Sequence, residues 1–221
     1  MNTWDYHPIA IVEADDFQDR YDRNGLNYLF YWKSKFPEFK ITLFAIPERT
    51  SDVMLNLVYK NKDWIELAVH GWNHESNFEC YSWDYDKTMA ILERVEKKQA
   101  YVNIFKAPGW SITPGFNGYP ADESLPLSKD PTAVYRALQD KGYAVVDRHY
   151  NTSVVTGNII CIDDNPNFVH MHTWNMETGD KNSRNGFGQV EEIHGVPWDN
   201  KTQFFFITEA LEKGMIESCK K

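Results

Sequence analysis

Short apolar runs and segments of helical periodicity alternate along most of this chain. The apolar runs, rich in β-branched and aromatic residues, predict strands at residues 9–12, 40–46, 64–69, 102–105, 143–146, 158–162 and 167–171. Apolar positions three or four residues apart predict helices at residues 25–36, 51–59, 86–98, 130–141 and 202–212, with Ser51 and Asp130 as N-caps. Strands that alternate with helices are typical of parallel βα units, so we expect an α/β fold with a closed or nearly closed barrel.

Two polar clusters follow directly after predicted strands. Asp15 and Asp16 come after the first strand, and His70 and His74 come after the third. Because the carboxyl ends of parallel strands gather at one edge of a barrel, we expect these four side chains to meet there. Two imidazoles and one carboxylate are a common ligand set for a catalytic divalent ion, and a second carboxylate beside them can act as the base for a water. The two clusters together predict a metal-dependent hydrolase.

Neither cluster is specific on its own. A pair of aspartates is usually a solvated turn or a helix cap, and with 7 histidines in 221 residues a His-x-x-x-His pair arises by chance in roughly one such sequence in five. The strand context of both clusters, their order and a later histidine at the end of another strand, His172, favour the metal site.

Composition limits the domain count and the partners. The chain of 221 residues shows no internal repeat or linker, so we expect one domain over residues 1–221. A net charge of −9 argues against nucleic acid or an anionic membrane as the partner. No apolar run approaches the ~18 residues of a membrane-spanning helix, no signal peptide is recognisable and the 3 cysteines are widely spaced. We therefore expect a cytoplasmic protein.

The polar motifs occur in an order that resembles one known family. In chain order they are Ala14-Asp15-Asp16-Phe17, His70-x-x-x-His74, Lys106-x-Pro108-x-Trp110 and a late strand that ends at His172. This set resembles the motifs of the NodB-type polysaccharide deacetylases, carbohydrate esterase family four, over residues 9 to 174. The resemblance implies a distorted, NodB-like (β/α)7 barrel. It also implies removal of N- or O-linked acetyl groups from glycans with the help of a divalent metal cation.

The resemblance implies a role for each matched residue. Asp15 would be the general base, and Asp16, His70 and His74 would bind the metal. His172 would be the general acid that protonates the leaving group. The expected metal is zinc, with nickel, cobalt or iron as alternatives, and the expected partner is an acetylated carbohydrate substrate.

Two motifs depart from the family pattern. The third usually reads Arg-x-Pro-Tyr, whereas this chain has Lys106, Pro108 and Trp110. Lysine keeps a positive charge near the base but loses the bidentate fork of an arginine. Trp110 replaces or follows the aromatic residue whose backbone N–H lies near the oxyanion. Of the fourth motif, usually Asp-x-x-Asp-Trp, only Asp147 remains.

Some assignments stay open at the level of sequence. His170 and His172 alternate along one strand and therefore share a face, so either could be the general acid, with His172 favoured. Aromatic residues near the strand ends could form a floor for sugar stacking or could simply pack at the rim. These residues are Trp72, Trp110 and Trp174.

Three functions fit the pattern. The leading one is a cytoplasmic deacetylase of a glycan or amino-sugar. The second is a metallohydrolase of a non-glycan amide C–N bond, which the departures at Lys106 and Asp147 favour. The third is a carbohydrate-binding pseudoenzyme, which the retention of both Asp15 and Asp16 disfavours, because a binding protein needs no base beside a metal ligand. The sequence predicts no oligomeric state.

Overall fold

A computed structural model describes residues 9–19, 22–110, 112, 130, 132–147, 159–161, 167–173 and 198–216. The strands within these residues are β1 (Ile9–Phe17), β2 (Ile41–Ala45), β3 (Ile65–His70), β4 (Ile104–Lys106), β5 (Ala144–Asp147), β6 (Ile159–Cys161), β7 (Phe168–His172) and β8 (Gln203–Phe205). The helices are α1 (Asp22–Lys35), α2 (Asp52–Lys60), α3 (Tyr85–Glu96), α4 (Ala133–Asp140) and α5 (Ile207–Glu212). Strands and helices alternate from β1 to β5, as the apolar pattern predicts.

The described strands form one sheet in which the paired strands run parallel. Its order is β6-β5-β4-β3-β2-β1-β7, and β8 pairs with the first residues of β1. The sheet curls into a half-barrel with helices packed against it. Because every strand points the same way, all of their carboxyl ends lie at one edge.

The register of the sheet brings the predicted motifs together at this edge. Asp15 on β1 pairs with His172 on β7, and His70 on β3 pairs with Lys106 on β4. Residues from four strands are therefore neighbours although they are far apart in the chain. This arrangement agrees with the tendency of parallel α/β folds to collect functional groups at the carboxyl edge.

The two faces of the sheet have different partners. Alternate residues such as Val12, Leu43 and Leu67 pack against helix residues Leu29 and Val58. On the opposite face, the one that the sheet curls around, an apolar layer is formed by residues of several strands and of α5. These residues include Ile11, Phe44, Ala68, Ile104 and Ile207. Toward the carboxyl edge the same face turns polar, because Glu13 and Asp15 follow Ile11 at intervals of two.

The helices begin at side-chain caps where the sequence supplies them. Ser51 Oγ accepts the N–H of Met54 at 3.5 Å and caps α2, as predicted. Asp84 Oδ1 accepts the N–H of Lys87 at 2.8 Å and caps α3. No helix among the described residues is long and apolar enough to span a membrane.

Several predicted element boundaries differ from the structure. β1, predicted to end at residue 12, continues to Phe17, so Asp15 and Asp16 lie within the strand and not after it. The helix expected from residue 202 begins only at Ile207, because residues 203–205 pair with β1 as β8; two of these residues are phenylalanines, which favour strands. Asp130 does not cap α4, which begins at Ala133. Its Oδ1 instead accepts the N–H of Thr132 at 2.9 Å, in the local turn that aspartate favours.

Candidate metal and catalytic site

β1 ends in a bulge that turns two neighbouring carboxylates toward the same edge of the sheet. Successive side chains of a regular strand point to opposite faces, so Asp15 and Asp16 would normally be separated. The register between β1 and β2 shifts between Ala14 and Phe17, and Asp16 has a positive φ of 67°. A bulge re-aims the side chain of its extra residue, and here both carboxylates reach groups at the ends of neighbouring strands.

Asp16, His70 and His74 converge into one group of possible metal ligands. Asp16 Oδ1 lies 3.5 Å from His70 Nε2 and 3.2 Å from His74 Nε2. One ligand atom from each side chain lies within 4.8 Å of the other two. His70 is buried, whereas Asp16 and His74 are partly exposed, so the group can be reached from solvent.

A backbone carbonyl sets the orientation of His70. Its Nδ1 lies 3.1 Å from Lys106 O, and because a carbonyl oxygen can only accept, Nδ1 must carry the proton. Nε2, the nitrogen nearest Asp16, is then unprotonated in the neutral ring. This is the tautomer that a metal-binding histidine adopts when its other nitrogen donates to the protein.

The electrostatics of the group favour a cation. Burial alone would raise the pKa of Asp16, but the hydrogen bonds and charges of His70 and His74 hold it well below its usual range. Burial alone would lower the pKa of His70, but the charge of Asp15 and the hydrogen bond of Asp16 outweigh it and raise that pKa. Two adjacent carboxylates thus create a negative potential at this position.

The loop that carries His74 is held by Glu79. Glu79 Oε1 accepts the N–H of Trp72 at 2.7 Å, and Oε2 accepts the N–H groups of Asn73 and His74, each at 3.2 Å. Gly71 precedes these residues with a φ of 58°, and a Cβ on it would lie 1.8 Å from Glu79 Oε1. Only glycine therefore allows the carboxylate to approach the loop so closely.

Lys106 is the centre of a second, buried group. Its Nζ donates to Asp15 Oδ1 at 2.6 Å and to the two oxygens of Glu13 at 2.8 and 2.7 Å. The side chains of Lys106 and Glu13 are fully buried. Lys106 Nζ also lies 3.3 Å from His170 Nδ1, so its three N–H groups face two carboxylates and one imidazole. A positive charge thus lies beside Asp15, as the sequence predicted.

His170 and His172 lie on the same face of β7, with their ring centres 4.9 Å apart. His170 Nδ1 lies 2.6 Å from Glu13 Oε1, and the His170 ring meets the ring of Trp110 edge-on at 5.1 Å. Loss of hydration and then the charge of Lys106 hold the pKa of His170 well below its usual value. His170 is therefore neutral at neutral pH.

Pro108 and Trp110 pack around the two groups. Pro108 lies against Gly71, where an added Cβ would come within 2.7 Å of Pro108 Cγ. Trp110 is only 9% exposed, and its ring centre lies 3.9 Å from Lys106 Nζ. An aromatic face beside a buried ammonium is a favourable cation–π contact, so the position of Trp110 favours packing over sugar stacking.

The roles predicted for three other residues, Trp72, Asp147 and Trp174, remain predictions. Trp72 follows β3, and the Arg94 guanidinium lies 4.2 Å above its ring centre. Asp147 ends β5, and its charge adds to burial in raising the pKa of Tyr135. Trp174 lies outside the described residues.

Two residues of the site, Glu13 and Glu79, are absent from the sequence-based assignment. Glu13 interrupts an apolar run, between Val12 and Ala14, in a strand that the sheet buries on both faces. A charged residue at such a position needs a buried partner, and that signal could have identified it. Glu79 carries no comparable signal, because its partners are backbone N–H groups.

The group of Asp16, His70 and His74 has a chemistry that fits a divalent cation, whereas the group around Lys106 does not. Imidazole nitrogen and carboxylate oxygen suit zinc, nickel, cobalt or iron, and the neutral ring of His70 presents an unprotonated Nε2. Asp15, His170 and His172 also place one ligand atom each within 4.8 Å of the others. Lys106 Nζ, however, donates to Asp15 and lies 3.3 Å from His170 Nδ1. A second dication would therefore be repelled by a buried ammonium.

The fold and the arrangement of the strands define a NodB-like (β/α) barrel, which confirms the predicted fold class. No protein-family model matches the chain, and no curated protein matches it in sequence. Solved structures that are similar in fold include three carbohydrate esterases or deacetylases. A family 4 acetyl xylan esterase from Clostridium thermocellum, in complex with a cobalt ion, has a TM-score of 0.55 and 12% identity, over 93% of this chain and 92% of the other.

Two further solved structures of similar fold are also carbohydrate esterases or deacetylases. The chitin deacetylase of the fungal pathogen Colletotrichum lindemuthianum has a TM-score of 0.55 and 9% identity, over 97% of this chain and 94% of the other. A family 4 carbohydrate esterase from Streptomyces lividans, in complex with acetate, has a TM-score of 0.53 and 10% identity, over 97% of this chain and 98% of the other. Because each of these sequences is at most 12% identical to this chain, the similarity shows a shared fold alone.

Proposed function

We propose that this protein is a metal-dependent hydrolase that removes an acetyl group from a carbohydrate. The observation that carries the proposal is the bulge of β1, which sets a ligand group around Asp16 beside the lysine-bound carboxylate of Asp15. The similar structures, an acetyl xylan esterase, a chitin deacetylase and an esterase in complex with acetate, support an acetylated carbohydrate as the substrate class.

Asp16, His70 and His74 would hold the divalent ion. When bound, such an ion lowers the pKa of a coordinated water toward neutrality and polarises the acetyl carbonyl. The residues themselves contribute orientation. The Lys106 carbonyl keeps His70 in the tautomer that leaves Nε2 unprotonated, and Glu79 fixes the loop that carries His74.

Asp15 would act as the general base. Lys106 donates to its Oδ1 at 2.6 Å, so Oδ2 is the oxygen that would take the proton of the attacking water. Asp15 is almost fully buried, and a hydrogen bond that fixes one oxygen also fixes the direction of the other. The base is thereby oriented before the substrate arrives.

His172 would act as the general acid on the leaving oxygen or nitrogen. Loss of hydration and the charge of Lys106 lower the pKa of His170, so this imidazole rarely holds the proton that a general acid must donate. The lowered pKa therefore supports the assignment of the general acid to His172. His172 is partly exposed at the end of β7, where a substrate could reach it.

The first experiment is a measurement of metal content. The protein, purified without added metal, is analysed by elemental mass spectrometry beside a His70→Ala/His74→Ala double variant, with thermal unfolding of both as the control for folding. We expect near-stoichiometric zinc, nickel, cobalt or iron in the wild type and none in the variant. Absence of metal from both, even after reconstitution, would contradict the proposal.

The second experiment is acetate release from a panel of acetylated sugars. The panel contains O-acetylated xylan fragments and N-acetylated chitin fragments, because the similar structures include enzymes named for each. Acetate release that requires the metal supports the hydrolase. A protein that binds metal and sugar but releases no acetate would instead be a carbohydrate-binding protein.

A further inference from the structure

Glu13 is a charged residue in the interior of the fold that no part of the proposed reaction uses. It lies on β1 two residues before Asp15, on the same face of the sheet, and is fully buried. It accepts hydrogen bonds from Lys106 on β4 and lies 2.6 Å from His170 Nδ1 on β7. A single carboxylate thus joins three strands beneath the site.

The hydrogen bonds around Glu13 favour one arrangement of protons. Lys106 Nζ donates to Glu13 Oε1, Glu13 Oε2 and Asp15 Oδ1, and it lies farther, at 3.3 Å, from His170 Nδ1. An ionised carboxylate can only accept, so the bond of 2.6 Å between His170 Nδ1 and Glu13 Oε1 needs a proton on the ring nitrogen. The neutral His170 must therefore be protonated at Nδ1 and unprotonated at Nε2.

We propose that Glu13 is a positioning residue, which fixes Lys106 against one oxygen of Asp15 and fixes the ring of His170. The inference rests on the proposed function, since it assigns Glu13 the task of keeping the predicted base ready. Glu13 itself would not contact the substrate.

The physical need for Glu13 follows from the lysine at this position. An arginine holds a carboxylate through a rigid planar fork, whereas a lysine is a point charge with three donors on a flexible stem. Alone beside Asp15, Lys106 could move between the two carboxylate oxygens. Glu13 holds the ammonium through both of its own oxygens and so keeps Nζ at Asp15 Oδ1. Glu13 and Lys106 together thus supply the fixed geometry that one arginine would give.

The kinetic test compares Glu13→Gln with Glu66→Gln. Glu66 is the matched control because it is also a buried glutamate on the interior face of the sheet, but its hydrogen bonds are to Thr42 and Thr208. We expect Glu13→Gln to lower kcat by about 10- to 100-fold with KM nearly unchanged, as for the loss of other groups that orient a site. Glu66→Gln should keep the wild-type kcat. Equal kcat values in the two variants would overturn the proposal.

A rescue variant separates positioning from simple loss of buried charge. In Glu13→Gln/Lys106→Arg the guanidinium can hold Asp15 by its own fork, so we expect part of the lost kcat to return. A double variant that is no more active than Glu13→Gln would contradict the role of Glu13 as the partner of a lysine.

A measurement that needs no substrate tests the same arrangement. Long-range 1H–15N NMR of the histidine rings, assigned with His170→Gln, should show His170 of the wild type protonated at Nδ1, and a mixture of tautomers in Glu13→Gln. A wild-type His170 protonated at Nε2 overturns the proposal, even if every variant at Glu13 fails to fold. If the wild type releases no acetate, the proposed function fails, while the tautomer still decides whether Glu13 orients His170.

Discussion

Two imidazoles of the site are oriented by acceptors bonded to Nδ1. For His70 the acceptor is the carbonyl oxygen of Lys106, and for His170 it is the carboxylate of Glu13. Lys106 therefore contributes twice, through its backbone to the metal group and through its side chain to Asp15. Removing one partner of such a buried ion pair costs about 3–5 kcal/mol, so truncation of Lys106 would mix loss of stability with loss of catalysis.

His172 offers a cleaner test at the level of a single residue. We expect His172→Ala to keep its metal content and to lower the rate of acetate release by about 10²–10⁴-fold, because the leaving group then departs without general acid catalysis. Elemental analysis and an acetate assay on the same preparation make the comparison. Undiminished acetate release by this variant would remove His172 from the mechanism.

At the scale of the element, the turn after β3 depends on one carboxylate and one glycine. Glu79 accepts three consecutive backbone N–H groups, and Gly71 leaves room for it because it has no side chain. His74 itself has a positive φ of 50°, so its backbone is held in a conformation that a residue with a side chain rarely adopts. The bonds to Glu79 compensate for that cost and present the His74 ring to Asp16.

Glu79→Gln should therefore weaken metal binding without removing a ligand. The amide loses the charge and replaces one acceptor oxygen with a donor, so we expect the affinity of the metal-free protein for zinc to fall by about 10- to 100-fold. Isothermal titration with zinc measures the change. Glu75→Gln is the matched control, because it makes the same change at an exposed position in the same loop. Equal affinity in the two variants would contradict this role of Glu79.

At the scale of the whole molecule, the interior of the sheet holds two polar networks with different tasks. The first is the candidate site at the carboxyl edge. In the second, Glu66 on β3 accepts the hydroxyl of Thr42 at 2.9 Å and that of Thr208 on α5. The Thr42 hydroxyl in turn accepts the N–H of Ile207 at 3.1 Å. This second network attaches α5 to the sheet, so we expect it to contribute to stability.

The pKa of Glu66 makes a prediction about the stability of the fold. Burial raises this pKa above its ordinary value of 4.5, against the opposing effect of the two threonine hydrogen bonds. The folded state then holds a proton that the unfolded state releases, so Glu66 reduces stability as pH rises from 4.5 through the raised pKa. The glutamine of the Glu66→Gln variant cannot ionise, so this variant does not lose stability in this way as pH rises.

We therefore expect the thermal midpoint of Glu66→Gln to exceed that of the wild type at neutral pH and the difference to shrink as pH falls toward 4.5. For a chain of this size, each kcal/mol corresponds to about 2–4 °C. Calorimetry across this pH range makes the measurement, and Glu75→Gln controls for the loss of a surface charge. A difference that does not depend on pH would contradict a raised pKa at Glu66.

Local pattern in the sequence predicted most of the fold. Alternation of apolar runs with helical segments predicted the βα order, since each element must bury a face of fixed periodicity. The same pattern could not separate β8 from α5, because a short apolar run that leads directly into a helical segment can belong to either element. Pairing with β1, a contact distant in sequence, decides between them.

The candidate site could be predicted only where a residue type carries its own chemistry. Asp16, His70 and His74 are recognisable because carboxylate and imidazole at strand ends suggest ligands, and the structure brings them together. Glu13 is recognisable only as a charge within an apolar run, and its role depends on Lys106, which lies 93 residues away in the chain. The bulge at Asp16 could not be predicted from the sequence either, since it arises from the pairing of β1 with β2.

The burial of the Lys106 ammonium has a consequence for chemical labelling. An amine-reactive ester needs an exposed nitrogen with a free lone pair, and Lys106 is fully buried with its Nζ bonded to the carboxylates of Glu13 and Asp15. In the folded protein, such a reagent should modify surface lysines and leave Lys106 untouched. Lys106 becomes reactive only when β1 and β4 separate. The rate at which its adduct appears in a peptide mass spectrum would therefore measure how often the interior of the barrel opens.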